Sequence, residues 1–360
     1  MAPVSPLPAP SLTLVVPGLL WPNPALQDTV FDLPLPALQT LLGRSTLERV
    51  DEDESAWWQR RLGSPLAPAP LRRLAMGNTS TADHEANHSA GPWLCADPVH
   101  LRFEEHTLVL EDPAKLQLSH EERQALAAVI APLVEEFDHL ELSGPAPGLD
   151  YWHLRPHGDL PPCPPLLSEL IGQPARALLP EGSEHRPWRR LFNEIQMVLH
   201  QHPLNQAREA AGLAVVNSLA LWGGGSLPST TPAAGFSLVL SDEAFHHGLA
   251  RHWRLDAQPL PQDFTPALVP PQAQALAYNT ALITPTRSRD ALRWREGLKA
   301  LETHWFAPLL QALDRGQLRH LQLVGFGNDG PRAASLTATA GRWAKLKFWQ
   351  GPCPLTELHP

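Results

Sequence analysis

Short apolar, β-branched runs alternate with helix-period segments along almost the whole chain, and this alternation limits the fold more than any other feature. Ser11–Val16 (SLTLVV) reads as a strand closing at Pro17-Gly18, and Leu35–Arg44 has the apolar spacing of a helix with a glycine near its end. Trp93–Phe103 and His106–Leu110 read as paired strands. Ser119 and Glu122 make an S-x-x-E capping box for a helix reaching Phe137, which Pro132 is expected to kink or break. His139–Gly144 and Asp150–Pro156 look like further strands, and Trp188–His202 is an amphipathic helix with Leu191, Ile195, Val198 and Leu199 on one side. Val215–Trp222 is a buried strand ending in glycines, and Phe236–Asp242 is a strand running into a helix that reaches Trp253. Ala281–Pro285 reads as another strand and Ser288–Arg315 as a long helix, after which Leu318–Phe326 and Ser335–Ala340 close the sheet. Strands alternating with helices make this an α/β chain with a mainly parallel sheet flanked by helices and some antiparallel strands. One domain spanning 1–360 is expected, with an insertion around 64–92 that is rich in Pro, Gly, Asn, Thr and Ser and assigned mostly to loop.

The formal charge of −9 argues against a nucleic-acid partner, which would need a basic face to neutralise phosphates. Local basic groups at Arg186–Arg190, Arg287–Arg295 and Arg342–Lys347 read as solvated faces. Cys95, Cys163 and Cys353 lie far apart, which excludes a disulfide framework or a thiolate zinc knuckle and fits a reducing compartment. No run approaches the ~20 apolar residues of a membrane span. The N-terminal apolar run has no Lys or Arg before it and is interrupted by Pro17-Gly18, so a cytoplasmic location without a signal peptide is expected.

Two motifs stand out. His84, Glu85 and His88 match H-E-x-x-H, in which two His one helical turn apart chelate zinc and the Glu activates water. Their setting (NTSTADHEANHSAGP) is polar and has no apolar face to anchor a helix, so a solvated loop is expected and no metal is assigned. The second is His202–Pro228, where a short helix with Asn205 and Arg208 leads into a strand that passes Asn217 and Trp222 and ends in Gly223, Gly224 and Gly225. Such a glycine turn can present backbone N–H groups to an anion, or can simply be a tight turn with Trp222 in the core.

The order His202, Pro203, Asn205, Arg208, Gly212, Asn217, Trp222, Gly223, Gly225, Pro228 resembles a segment of archaeal-type cofactor-independent phosphoglycerate mutases, which belong to the alkaline-phosphatase superfamily. Over nearly its full length the chain looks like the RpfE type of bacterial regulatory protein, through the phrases CADPVHLRF, FNEIQMVLHQHPLN, NSLALWGGGSLP and LETHWFAPLLQAL. The resemblance implies an alkaline-phosphatase-like core. In that superfamily two divalent metals held by Asp and His activate a Ser or Thr nucleophile. The first strand should end in a metal-binding Asp, but here it ends in Val16-Pro17-Gly18. The nucleophile should open a helix, yet Leu35-Pro36 stands there, and Asp290 and Asp329 have no His at ligand spacing and read as surface or capping carboxylates.

Asp97 and His100 could act together in acid–base chemistry, or be a turn initiator and a half-buried strand residue. Asn193, Gln196, Met197 and His200 form one helical stripe that could line a cleft with Asn205, Arg208 and His202, or satisfy buried backbone groups. Ser226 lacks a Gly-x-Ser-x-Gly elbow and is not read as a nucleophile. The expected function is therefore non-catalytic: a phosphoglycerate-mutase-like protein with a regulatory role, binding a phosphorylated small molecule or a protein partner and needing no cofactor. The alternatives are an active metal-dependent mutase or phosphatase, and a zinc hydrolase built on His84, Glu85 and His88.

Overall fold

The computed structural model describes residues 10–21, 26–76, 92–104, 106–137, 140–144, 150–156, 159–178, 181–228, 235–329, 332–341 and 351–358. In chain order its strands are β1 (Ser11–Leu20), β2 (Thr46–Val50), β3 (Trp93–Val99), β4 (Leu101–Glu104), β5 (Thr107–Leu110), β6 (Leu140–Ser143) and β7 (His153–Pro156). They continue with β8 (Ser218–Gly225), β9 (Leu238–Leu240), β10 (Asp256–Gln258), β11 (Gln274–Tyr278), β12 (His320–Asp329) and β13 (Arg332–Gly341). The chain divides into two compact units, Met1–Gly63 with Thr230–Pro360, and Ser64–Ser229. The second begins where the loop-rich stretch was expected.

The first unit is built on a seven-stranded sheet in the order β10-β9-β11-β1-β12-β13-β2. Pairings from β10 through β12 are parallel, and β13 pairs antiparallel with both β12 and β2. The α/β class with a mainly parallel sheet is what the alternation of elements required. Its core joins Leu12, Leu14 and Val16 of β1 to Leu38, Leu42, Trp294, Leu298, Trp305 and Phe306 of the covering helices. The second unit has a four-stranded antiparallel sheet, β6-β7-β3-β8, and a β4–β5 hairpin. Leu94, Ala96, Leu154, Leu219 and Leu221 form one face of that sheet and pack with Leu126, Ile130, Leu191 and Ile195 from helices His120–Glu136 and Arg186–Gln201.

Several local expectations change. β1 does not close at Pro17-Gly18: Gly18 adopts φ +81° in a bulge, and the strand runs on to Leu20. A Cβ at Gly18 would sit 2.4 Å from the Leu282 carbonyl oxygen, so only glycine fits this bulge. Residues Ala281–Pro285 are not a strand. Asn279 Oδ1 accepts from Ala281 N (3.0 Å) to turn the chain, the strand is the preceding QALAY, and Ile283–Arg287 is helical. Pro285 is tolerated in this first helical turn, where its missing N–H costs nothing. The long helix after Ser288 starts at Ala291, with Asp290 as its N-cap accepting from Arg293 N (3.0 Å). It is interrupted by a π-helical turn, Glu302–Phe306, before Ala307–Asp314. Helix His120–Glu136 has the capping box but runs through Pro132, which faces solvent while Ile130 and Val134 anchor the helix on either side. The 64–92 stretch holds a helix, Pro68–Met76, whose early prolines lie where helices tolerate them. His84, Glu85 and His88, and the basic group at 342–347, lie outside the described residues.

Candidate functional site

On the second face of the four-stranded sheet, Trp93, Cys95 and Asp97 alternate outward from the Leu94–Ala96 face. Helix Pro68–Met76 supplies Arg72, which is 3% exposed and bonded through every kind of guanidinium nitrogen. Its Nη1 and Nη2 donate to the two Asp97 oxygens (2.7 and 3.0 Å), Nη2 also to the Trp152 carbonyl (2.9 Å), and Nε to His153 Nε2 (3.2 Å). Trp222 Nε1 donates to Asp97 Oδ2 (2.8 Å), and the Arg72 guanidinium lies over the Tyr151 and Trp222 rings. Burial opposes the Arg72 charge, but Asp97, together with Cys95 and Tyr151, outweighs it and the pKa is raised. Burial also pushes up the Cys95 thiol.

Asp97 is therefore paired with Arg72 and Trp222 rather than with His100, whose Nδ1 lies 2.8 Å from the Val215 carbonyl oxygen. Asn205 and Arg208 are buried and satisfy main-chain groups. Asn205 Nδ2 donates to the Leu199 and Val216 carbonyls (2.7 and 2.6 Å), and its Oδ1 accepts from Val216 N (2.9 Å). Arg208 donates to the Ala214 and Leu116 carbonyls and to Glu122 (2.8, 2.5 and 2.7 Å). Asn217 pairs both amide atoms with the Leu101 backbone, like one more rung of a ladder (2.7 and 2.9 Å). His202 caps Leu204 N (3.2 Å), whereas Asn193 and His200 are exposed, so the helical stripe and the Asn205–Arg208 pair do not line one cleft.

The glycine turn belongs to β8. Gly223 has φ +65° and spends its N–H on the Pro164 carbonyl (2.8 Å), while an added Cβ would press on the Pro68 ring. A Cβ at Gly224 would stand 2.7 Å from the Leu94 side chain, and one at Gly225 2.6 Å from that of Ala67. Their common property is close packing.

In the first unit, the end of β1 is sealed from within. The Gly18 carbonyl accepts from Trp294 Nε1 (2.7 Å) and Thr286 Oγ1 (2.9 Å), and Leu19, Leu20 and Trp21 are buried. Helix Pro36–Arg44 has no capping side chain of its own at Leu35. Instead the buried Glu302 carboxylate accepts from Ala37 N (2.5 Å) and Leu38 N (3.0 Å). Helix N-termini attract anions because their first N–H groups are unpaired and aligned. Glu302 occupies that position.

At the ends of β9 and β11 stands a cluster the sequence reading missed. Ser241 Oγ lies 2.8 Å from His246 Nδ1 and accepts from Glu243 N (3.0 Å), and Tyr278 OH donates to Glu54 (2.5 Å). Phe245, Tyr278 and Trp58 pack around the His246 ring, with centroids 3.9, 4.4 and 5.0 Å away, and its Nε2 has no partner among the described residues. The missed Arg72 and Arg73 did carry a signal: two arginines between Leu71 and Leu74 on an apolar helix.

Burial holds His153 and His246 neutral, with pKa values well below 6.5; Arg72 and Arg73 add to this at His153, and His247 at His246. The unfolded chain takes up these protons near the ordinary value and the folded chain does not, so their contribution is complete above about pH 6.5 and is lost as pH falls below it. Urea unfolding across mildly acidic pH should show stability falling by about 1.4 kcal/mol per pH unit for each group. His246→Asn should shallow that slope, and a flat profile in the parent protein would refute it.

Among the described residues no three His, Cys, Asp or Glu side chains are grouped to hold a metal ion, so these residues do not assemble the two-metal donor set that the resemblance implies.

No protein-family model and no curated protein matches the chain. Among solved structures it is similar to a cofactor-independent phosphoglycerate mutase from Thermoplasma acidophilum DSM 1728. The two are 15% identical over 92% of this chain and 90% of that one, with a TM-score of 0.43. It is also similar to the PH0037 protein from Pyrococcus horikoshii, at 13% identity over 93% and 88% of the two chains and a TM-score of 0.45.

Proposed function

We propose that this chain is a phosphoglycerate-mutase-like protein of the RpfE regulatory type that binds a small anion or a protein partner and does not transfer phosphate. The observation that carries the reading is Glu302. By the resemblance, the start of helix Pro36–Arg44 is where a nucleophile would meet phosphate, and there the chain supplies its own carboxylate to Ala37 N and Leu38 N. A second anion at that position would be repelled by it. The end of β1 supports the same reading, because Gly18 and its carbonyl stand where the resemblance places a metal-binding Asp. A cytoplasmic setting belongs to the proposal and is supported by the three unpaired cysteines. No helix among the described residues is long and apolar enough to cross a membrane.

The test is interconversion of 2- and 3-phosphoglycerate by the purified full chain, with and without added Mn²⁺ or Zn²⁺. No turnover above the protein-free control is expected. Metal-dependent turnover would overturn the reading in favour of an active enzyme.

A further inference from the structure

We propose that Arg73 and Arg155, with the Ser143 hydroxyl, form a binding site for a compact oxyanion, a phosphate or carboxylate group. The site gives a ligand class to the binding role proposed above, and rests on that reading. Strand register brings the residues together. Glu141 pairs with Arg155, Ser143 with His153, and His153 with Cys95, so alternate residues of β6, β7 and β3 share the face that carries Trp93. Helix Pro68–Met76 brings Arg73 to the same ring.

The Arg73 guanidinium carbon lies 3.5 Å from the centre of the Trp93 ring, and that of Arg155 lies 5.6 Å from it. Stacking satisfies the face of a guanidinium but leaves its in-plane N–H edge to find acceptors. For Arg73, Nη1 donates to Ser143 Oγ (2.8 Å), while Nε is buried and has no acceptor among the described residues. Arg72, the preceding residue, shows the contrast, since its Nε, Nη1 and Nη2 all donate within the fold.

Charge is unbalanced in the same place. Among the described residues the carboxylate beside Arg155 is Glu141, at 3.7 Å and with its side chain 52% exposed, so two guanidinium groups share one loosely held acid. Burial pushes the Arg73 pKa down, Glu141 opposes this and Arg155 adds to it, which is the electrostatic condition that a bound anion would relieve. An oxyanion with two acceptor oxygens matches the edge that remains.

Calorimetric titration of the full chain at low ionic strength with inorganic phosphate, and separately with malonate, tests the site. At least one probe should bind saturably, and the one that binds better distinguishes phosphate from carboxylate. Arg73→Gln and Arg155→Gln should each weaken that binding by about tenfold or more, the usual worth of a charge-assisted hydrogen bond. Unfolding midpoints establish that the variants fold, and the partly exposed Arg155 decides the matter if Arg73→Gln does not. Absence of saturable binding by the parent protein, or binding unchanged in the folded variants, overturns the inference. Phosphoglycerate turnover would remove the non-catalytic reading but not the site, whereas neither turnover nor binding would remove the site and leave that reading standing.

Discussion

Asp97→Asn should destabilise the protein by about 3–5 kcal/mol, the usual cost of breaking a buried ion pair from one side. Asp97 accepts three hydrogen bonds, two from Arg72 and one from the Trp222 indole. An amide nitrogen in place of one oxygen accepts nothing and would face a donor, and the 3%-exposed Arg72 would keep its charge with no counter-charge. Urea unfolding followed by tryptophan fluorescence measures the loss. Replacing both partners, as Arg72→Met with Asp97→Leu, should recover part of it, because the cost lies in the unpaired charge more than in the missing pair. A single-variant loss below about 1 kcal/mol would show that water reaches Arg72 and that the pair is not a buried one.

Glu302→Ala should cost about 2–4 kcal/mol, since it strips the acceptors from two buried N–H groups at the start of helix Pro36–Arg44. Glu302→Gln should lose less, because one amide oxygen still accepts. With its carboxylate removed, the helix start regains its preference for an anion, so added sulfate should raise the unfolding midpoint of Glu302→Ala more than that of the parent protein. Equal responses would mean that the carboxylate is not standing where an external anion could. The π-helical turn at Glu302–Phe306 that carries this carboxylate also accommodates Pro308 just beyond it, where an uninterrupted α-helix would meet a missing N–H.

The residues around His202–Pro228 show how far a local pattern can be trusted. Asn205, Arg208 and Asn217 stand out in the sequence as polar groups on short elements, and a ligand and the chain's own backbone are equally good partners on that information. The fold chooses the backbone, because the kink from Leu199 to Leu204 and the loop at Ala214–Val216 turn carbonyls toward the Asn205 and Arg208 side chains. Glycine is ambiguous in the same way. Gly223 and Gly224 allow a close approach, and what approaches is Pro68, Leu94 and Cys163.

What the chain's own order of residues determined was local: strand and helix periodicity, the Ser119–Glu122 capping box, and the absence of a carboxylate at the end of β1. These depend on neighbours within a turn or two, where spacing alone specifies geometry. Only the tertiary structure decided which partners the charged groups meet. Arg72 finds Asp97 across 25 residues and His153 across 81, and Glu302 caps a helix 265 residues away. Such pairs form because helices and strands that bury their apolar faces bring distant polar residues together, and a buried charge must then take whichever partner arrives.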